Sequence, residues 1–265
     1  LQWTSPEGDI TRGYREDGYF PEAFVNMLAM LGWNPGDDRE LFTLEELAQA
    51  FSLERVIKSG ARFNPDKAKW YNKEYLRMKS DEELTSLFIP VLESHGLQVV
   101  ECPKCAITVG AELTVRGADF KNGIFTRAYI ESVVALIKER ATFVADFWDI
   151  ASYLFKAPES YSEKDVAKFW KEENYTLAFQ VADFIEGFNA GHNPAEAEFP
   201  KEEIEGPMEE FIRSHEWPMG KVMNCLRLAL AGASSGLGIA DIISLTGKQE
   251  VARRISNIKA ALLDK

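Results

Sequence analysis

The residues whose types could do chemistry are few. Cys102-Pro-Lys-Cys105 has the spacing of half a zinc ribbon, but such a site needs four ligands, and the nearest candidates are His95 and the distant Cys225. A turn between two short strands accounts for the pair, and no metal is expected. Neither paired carboxylates nor a nucleophile with its base stand at an informative spacing, so no catalytic residue is assigned. Three cysteines are also too few for a disulfide framework, which suits a cytoplasmic location. What remains is the chemistry of arginine and lysine: charge, forked hydrogen bonds and stacking.

The net charge of -12 argues at first against a nucleic-acid partner. The distribution of that charge argues the other way. Residues 159–210 carry fourteen acids against four bases, whereas 52–79 carry eight bases against three acids and 219–265 seven against three. Segregation of this kind permits a basic, RNA-facing surface on an acidic protein, the alternative being solvated helix faces. No apolar run reaches the roughly 18 residues of a membrane span, and no membrane partner is expected. The chain begins without Met in what reads as a loop, as an excised fragment would.

The elements that must position these cations are mainly helical. Phe20, Phe24, Met27, Leu28 and Leu31 recur at helical spacing behind Pro21, with Gly32 placed to end the helix in a left-handed cap. Thr43-Leu-Glu-Glu46 and Ser80-Asp-Glu-Glu83 are capping boxes, the first opening a helix with Leu44, Leu47 and Phe51, the second one with Leu84, Leu87, Phe88, Val91 and Leu92 that stops near Gly96. The alternating segment Leu97 to Phe120 predicts two or three short strands, an insert in an otherwise α fold. One long helix is predicted to follow, its stripe formed by Ile130, Val133, Val134, Ile137, Ala141, Val144, Phe147 and Trp148. A domain boundary is placed around Tyr153 to Ser162. Ser162 caps a helix through Val166 and Phe169, another carries Leu177 to Ile185, a turn spans Asn189-Ala-Gly-His-Asn-Pro194, and an acidic helix runs to Ser214. A helix from Lys221 to Leu230, stopped by Gly232, precedes two final short helices.

Three blocks carry a family resemblance. Gly18-Tyr-Phe-Pro-Glu-Ala-Phe-Val-Asn-Met-Leu-Ala-Met-Leu-Gly-Trp33 resembles the stretch after the signature lysine loop of bacterial glutamyl-tRNA synthetases. Phe51-Ser-Leu-Glu-Arg-Val-Ile-Lys-Ser-Gly-Ala-Arg-Phe-Asn64, then Lys67, Trp70, Asn72 and Tyr75, is similar to the next block of that family. Gly220-Lys-Val-Met-Asn-Cys-Leu-Arg-Leu-Ala-Leu-Ala-Gly-Ala-Ser-Ser-Gly-Leu-Gly-Ile239, ending in Leu245-Thr-Gly-Lys248, resembles its anticodon-binding terminus, departing at Cys225 and Leu237, where the family usually has Pro. The family's His-x-Gly-His and Lys-Met-Ser-Lys-Arg motifs have no counterpart: His95-Gly-Leu-Gln, His192-Asn-Pro-Ala, His215-Glu-Trp-Pro and Lys58-Ser-Gly-Ala do not fit them.

The resemblance implies the carboxy-terminal part of a class I synthetase whose whole form attaches glutamate to tRNA(Glu) with ATP and Mg2+, this part holding no cofactor and being inactive alone. It implies a stem-contact region at 1–79, a first helical anticodon-binding subdomain at 80–157 and a second at 158–265, in a monomer. Arg227 inherits an anticodon base contact, with Ser235, Gly236 and Ile239 lining its pocket; Lys138-Glu-Arg-Ala141 resembles the family's arginine-containing segment, and through it Arg140 inherits the distinction of C from G at the third anticodon base. Lys58, Arg62, Lys67, Lys69, Lys73, Lys221, Lys248, Arg253 and Arg254 are candidate contacts to the tRNA backbone. Trp33, Trp70 and Tyr75, lying among apolar residues at helical spacing, are expected in the core, the alternative being stacking platforms. The competing assignments for the arginines are an Arg227 that serves Asp241 or a neighbouring carboxylate and an Arg140 in an ordinary i,i+4 pair. For the chain as a whole they are a glutaminyl-type or relaxed-specificity synthetase fragment and a helical protein-interaction module.

Overall fold

The computed structural model describes residues 3–6, 8, 10–58, 60–101, 108–109, 112–113, 117–188 and 200–263. Cys102, Cys105 and the turn expected at 189–194 lie outside them. The fold is mainly α with a small strand insert, as expected. Two compact units form, one of Leu1–Val91 and Val134–Ile150, the other of Leu92–Val133 and Ala151–Lys265. No helix is long and apolar enough to cross a membrane among the described residues.

In the first unit a short antiparallel pair, β1 (Trp3–Thr4) and β2 (Ile10–Thr11), precedes α1 (Pro21–Met30), α2 (Leu44–Ala50), α3 (Pro65–Met78) and α4 (Asp81–Ser94). Pro21 stands in the first turn of α1, where its missing amide hydrogen costs nothing. The left-handed cap at Gly32 does not form: α1 ends through Leu31 in right-handed geometry, and Gly32 does not take a positive φ. Tertiary pairing decides this, because the Gly32 carbonyl accepts from Ile57 N at 2.8 Å and Trp33 bridges Val56.

Both capping boxes are present. Thr43 Oγ1 accepts from Glu46 N at 3.2 Å while Glu46 Oε2 accepts from Thr43 N at 2.7 Å, and Ser80 and Glu83 repeat the exchange at 3.1 and 3.0 Å. Thr43→Ala should cost about 1 kcal/mol in a denaturant titration, the usual worth of such a cap; an unchanged midpoint would mean that packing of Leu47 alone holds α2.

Inside this unit Ala23, Met27, Trp33, Phe42, Leu47, Tyr71, Tyr75, Leu76, Leu84 and Phe88 are buried. Leu28, Leu44, Phe51 and Leu87 share the helical spacing yet are exposed, since each apolar stripe is wider than the face its neighbours cover. Two buried amides join the helices. Asn26 Oδ1 accepts from Phe42 N at 2.9 Å, and Asn72 Oδ1 accepts from Phe20 N at 2.8 Å.

The single long helix expected across 130–148 is broken. α5 (Arg127–Ile137) runs into a 3-10 turn at Lys138–Arg140, and α6 (Asp146–Ala151) starts afresh. Asp146 Oδ2 accepts from Thr142 N and Phe143 N, both at 2.9 Å, and Asn72 Nδ2 donates to Thr142 O at 2.7 Å. Backbone groups with such partners gain nothing further from a continuous ladder.

In the second unit the insert is a three-stranded sheet of order β3-β7-β6, in which β3 (Gln98–Val100) pairs parallel with β7 (Ile124–Thr126) and β7 antiparallel with β6 (Ala118–Asp119). A separate hairpin joins β4 (Thr108–Val109) to β5 (Glu112–Leu113). Strand β7 lies past the expected strand region, where a three-residue run offers little alternation to detect. Gly117 has no substitute here: its φ is +75° and a Cβ would fall 2.1 Å from Thr126 Oγ1.

The remainder of this unit is α7 (Glu163–Phe169), α8 (Glu172–Gly187), α9 (Lys201–Ser214), α10 (Met219–Ala231) and α11 (Ile239–Leu262), with α8, α10 and α11 packed on one another and α9 against α8 and α11. Ser162 caps α7, Gly232 ends α10 at φ +81°, and Gly247 at φ +76° divides α11 into the two expected short helices.

Candidate nucleic-acid interface

The loop 232–238 between α10 and α11 is tied down from four sides. At its start, the Gly232 carbonyl accepts from Ser162 N at 2.8 Å. Asp165, in the first turn of α7, accepts from Ser234 N at 3.0 Å and Ser234 Oγ at 2.9 Å, and these bonds hold its carboxyl below its ordinary value. The Tyr153 hydroxyl, in the 3-10 turn after α6, accepts from Leu237 N at 3.0 Å. From within α10, Arg227 donates through Nε to Leu237 O at 3.2 Å and through Nη1 to Ser234 O at 3.1 Å.

Arg227 is therefore built into the loop rather than lying on the helix surface. Its other partner is Asn224 Oδ1 at 3.2 Å. Asp241 does not serve it, being paired with Lys201 at 3.1 Å. Among the described residues no carboxylate pairs with Arg227. Burial moves its guanidinium below the ordinary value, the nearby Tyr153 phenol opposing that shift, yet an arginine keeps its charge across the physiological range. A half-buried cation whose partners among the described residues are all neutral acceptors is an unneutralised positive centre, with Nη2 unused by those partners.

Ser235 and Gly236 stand exposed at the tip, beside this cation. Gly236 has φ +141°, and a Cβ there would come 3.0 Å from the Tyr153 hydroxyl, so a side chain would push the tip off its clamp. The structure thus brings Arg227, Ser235 and Gly236 together. Ile239 is 2% exposed and belongs to the core beneath the loop, a correction to its expected place lining the Arg227 pocket. Tyr153 and Asp165 were missed as site residues, because they lie 84 and 69 positions from the groups they hold.

The Asp165 clamp has a pH sense. A carboxyl whose folded value lies below its unfolded one stabilises the loop above about pH 4 and loses hold as pH falls through the lowered value. Asp165→Asn cannot accept from both Ser234 donors, so amide exchange at Ser234 at pH 7 should quicken about two- to tenfold, the worth of one net hydrogen bond. Exchange at the wild-type rate would leave the loop's placement to Arg227 and Tyr153.

With this geometry in view, an anticodon-binding-domain family model matches residues 104–259, more than half of the chain. The chain belongs to the anticodon-binding domain family. A second model, the catalytic domain of class I tRNA synthetases (E and Q), matches residues 9–70. The glutamate–tRNA ligase of Parabacteroides distasonis is 41% identical over 256 residues, 96% of this chain and 44% of its own length, and that of Flavobacterium johnsoniae 40% identical over 262 residues, 99% and 45%. A crystal structure of a glutamate tRNA ligase from Elizabethkingia meningosepticum superposes with a TM-score of 0.77 at 33% identity, covering 97% of this chain and 44% of that one. The chain spans somewhat less than half the length of these relatives, and the resemblance read from its three blocks is borne out.

The other candidate cations of this anticodon-binding-domain protein divide by burial. Arg254 is fully buried, bonded to Glu250 Oε1 at 2.7 Å and donating to Leu230 O at 2.7 Å, so it cannot reach a phosphate, which corrects its expected place among the backbone contacts. Arg253 grips both oxygens of the same Glu250 at 2.7 Å and stays half-exposed. Lys248 donates to the carbonyls of Glu186 and Phe188, which closes the C-terminus of α8, and burial lowers its ammonium from the ordinary value. Lys221 is exposed and has no side-chain partner among the described residues.

In the first unit Lys58, Arg62 and Lys69 are exposed and Lys73 half-exposed, also without side-chain partners among the described residues. Lys67 pairs with Glu40 at 2.6 Å and lies 4.3 Å from the centroid of the Trp70 ring. Trp70 itself is 36% exposed, so of the three aromatic residues expected in the core only Trp33 and Tyr75 are there. Arg140 is exposed at the end of its 3-10 turn, outside any helical i,i+4 ladder. Just before it in the same turn, Lys138 pairs with Asp81 at 2.7 Å and Glu139 with Arg77 at 2.8 Å.

Proposed function

We propose that this chain binds tRNA(Glu) and reads its anticodon as the carboxy-terminal part of a glutamate–tRNA ligase. The observation that carries the reading is the Arg227 guanidinium, half-buried, without a carboxylate partner among the described residues and fixed beside the exposed tip Ser235-Gly236. Bases splayed out of a loop present pairing edges and flat faces, and a planar fork can serve both. Arg140 distinguishes C from G at the third anticodon base. Lys58, Arg62, Lys69 and Lys73 contact the tRNA backbone from the 1–79 segment, while Lys221 and Arg253 do so from 158–265. Activation of glutamate with ATP and Mg2+ belongs to the whole ligase, which we place in the cytoplasm as a monomer.

The test is a filter-binding titration of the 265-residue chain with a tRNA(Glu) transcript across salt concentrations. Phosphate contacts release counterions, so log affinity should fall linearly with log salt by about 0.7–0.9 per contact. Binding that ignores salt would overturn the reading and favour a protein-interaction module, for which the acidic block 159–210 speaks.

A further inference from the structure

We infer that Asn72 is a positioning residue for Arg140, so that α3 sets the geometry of third-base selection. Residues 138–143 have no helical ladder of their own beyond the 3-10 turn, and α3 supplies two of the ties that hold them. Asn72 Nδ2 donates to Thr142 O at 2.7 Å, two residues from Arg140, while Asn72 Oδ1 accepts from Phe20 N at 2.8 Å at the start of α1. Five positions on, Arg77 donates through Nη2 to Glu139 O at 3.3 Å and pairs through Nε with the Glu139 carboxylate at 2.8 Å. The backbone is thus gripped on both sides of Arg140, at 139 and at 142, from one rigid helix.

The rest of the segment is locked around those grips. Asp146 takes the amides of Thr142 and Phe143, and the Phe143 ring meets Tyr19 edge-on at 4.9 Å and lies 3.6 Å from where a Cβ on Gly18 would stand. Asn72 is fully buried and has both ends of its amide in use, one as acceptor and one as donor. Only an amide fits: a carboxylate keeps the Phe20 bond but faces the Thr142 carbonyl with a second acceptor. An exposed arginine on an irregular turn can select a base only if its Cα is fixed, because a displacement of an ångström or so moves its fork off a bidentate pairing.

The inference rests on the proposed role of Arg140, and the variants separate the two. The readout is the ratio of dissociation constants for tRNA(Glu) transcripts with C or G at the third anticodon position, with the salt slope of the C transcript measured alongside. Arg140→Gln should reduce the ratio at least about fivefold. Asn72→Asp should lower it by a comparable factor with the salt slope unchanged, and Arg77→Gln, a change at a partly buried side chain that leaves the Asn72 amide intact, should lower it about two- to fivefold. A ratio that falls for Arg140→Gln but holds for both Asn72→Asp and Arg77→Gln overturns the positioning role. If Asn72→Asp does not fold, Arg77→Gln decides alone. A ratio indifferent to Arg140→Gln removes the role of Arg140 and that of Asn72 with it.

Discussion

Glu250→Ala is expected to destabilise the second unit by about 3–5 kcal/mol, the cost of leaving a buried charge without its partner. Arg254 has no solvent exposure, and burial already lowers its guanidinium from the ordinary value, with Glu250 opposing that shift. Among the described residues, removing the carboxylate leaves Arg254 one acceptor, the Leu230 carbonyl at 2.7 Å, with Nη2 already lacking a partner. Arg253, half-exposed, can turn to water. Thermal unfolding should shift by roughly 2–4 °C for each kcal/mol lost in a unit of this size.

The control is the double variant Glu250→Ala with Arg254→Met, which replaces both charges with apolar groups and should recover most of the loss, since well-packed apolar replacements of buried pairs are commonly neutral or better. Equal losses in the single and double variants would mean that packing around the pair, not its charge, holds α11 in place. Leu230 lies in the last turn of α10, two residues before the loop begins, so the pair also secures the helix end from which that loop leaves.

Arg227→Ala is expected to weaken binding of a tRNA(Glu) transcript about five- to hundredfold, the worth of one base-specific contact, while a transcript with abasic anticodon positions binds wild type and variant alike. Two physical losses combine. The guanidinium leaves the site, and the carbonyls of Ser234 and Leu237 lose the donors that pin the tip. Arg227→Lys separates them by keeping the charge while giving up the fork, since one ammonium cannot span both carbonyls and still present a planar edge. It should behave nearly as badly as alanine toward the intact anticodon. A loss of the same size for intact and abasic transcripts would reduce Arg227 to a general phosphate contact.

The two variants differ in what the chain itself discloses. Arg227 stood out because its block could be matched as a string; Arg253 and Arg254 are neighbours of the same type, and nothing local tells the exposed one from the buried one. Their fates diverge because successive helical positions lie about 100° apart, so one faces α10 and the other water.

By itself the sequence determined whatever depends on contacts within about four residues: the boxes at Thr43 and Ser80, the cap at Ser162, the helix stops near Gly96 and at Gly232, and the division of the last segment into two short helices. It also carried the family, because the three blocks are linear strings. Tertiary structure decided the rest. Asn72 reaches a carbonyl 70 positions away and, with Asp146, breaks a stripe that local spacing reads as one helix. Ile57 takes the Gly32 carbonyl and turns the end of α1 away from its glycine cap. Tyr153 and Asp165 build the clamp on the 232–238 loop from elements remote in sequence. A backbone group accepts whichever partner the packed chain delivers to it, and when that partner is distant no window along the sequence contains both.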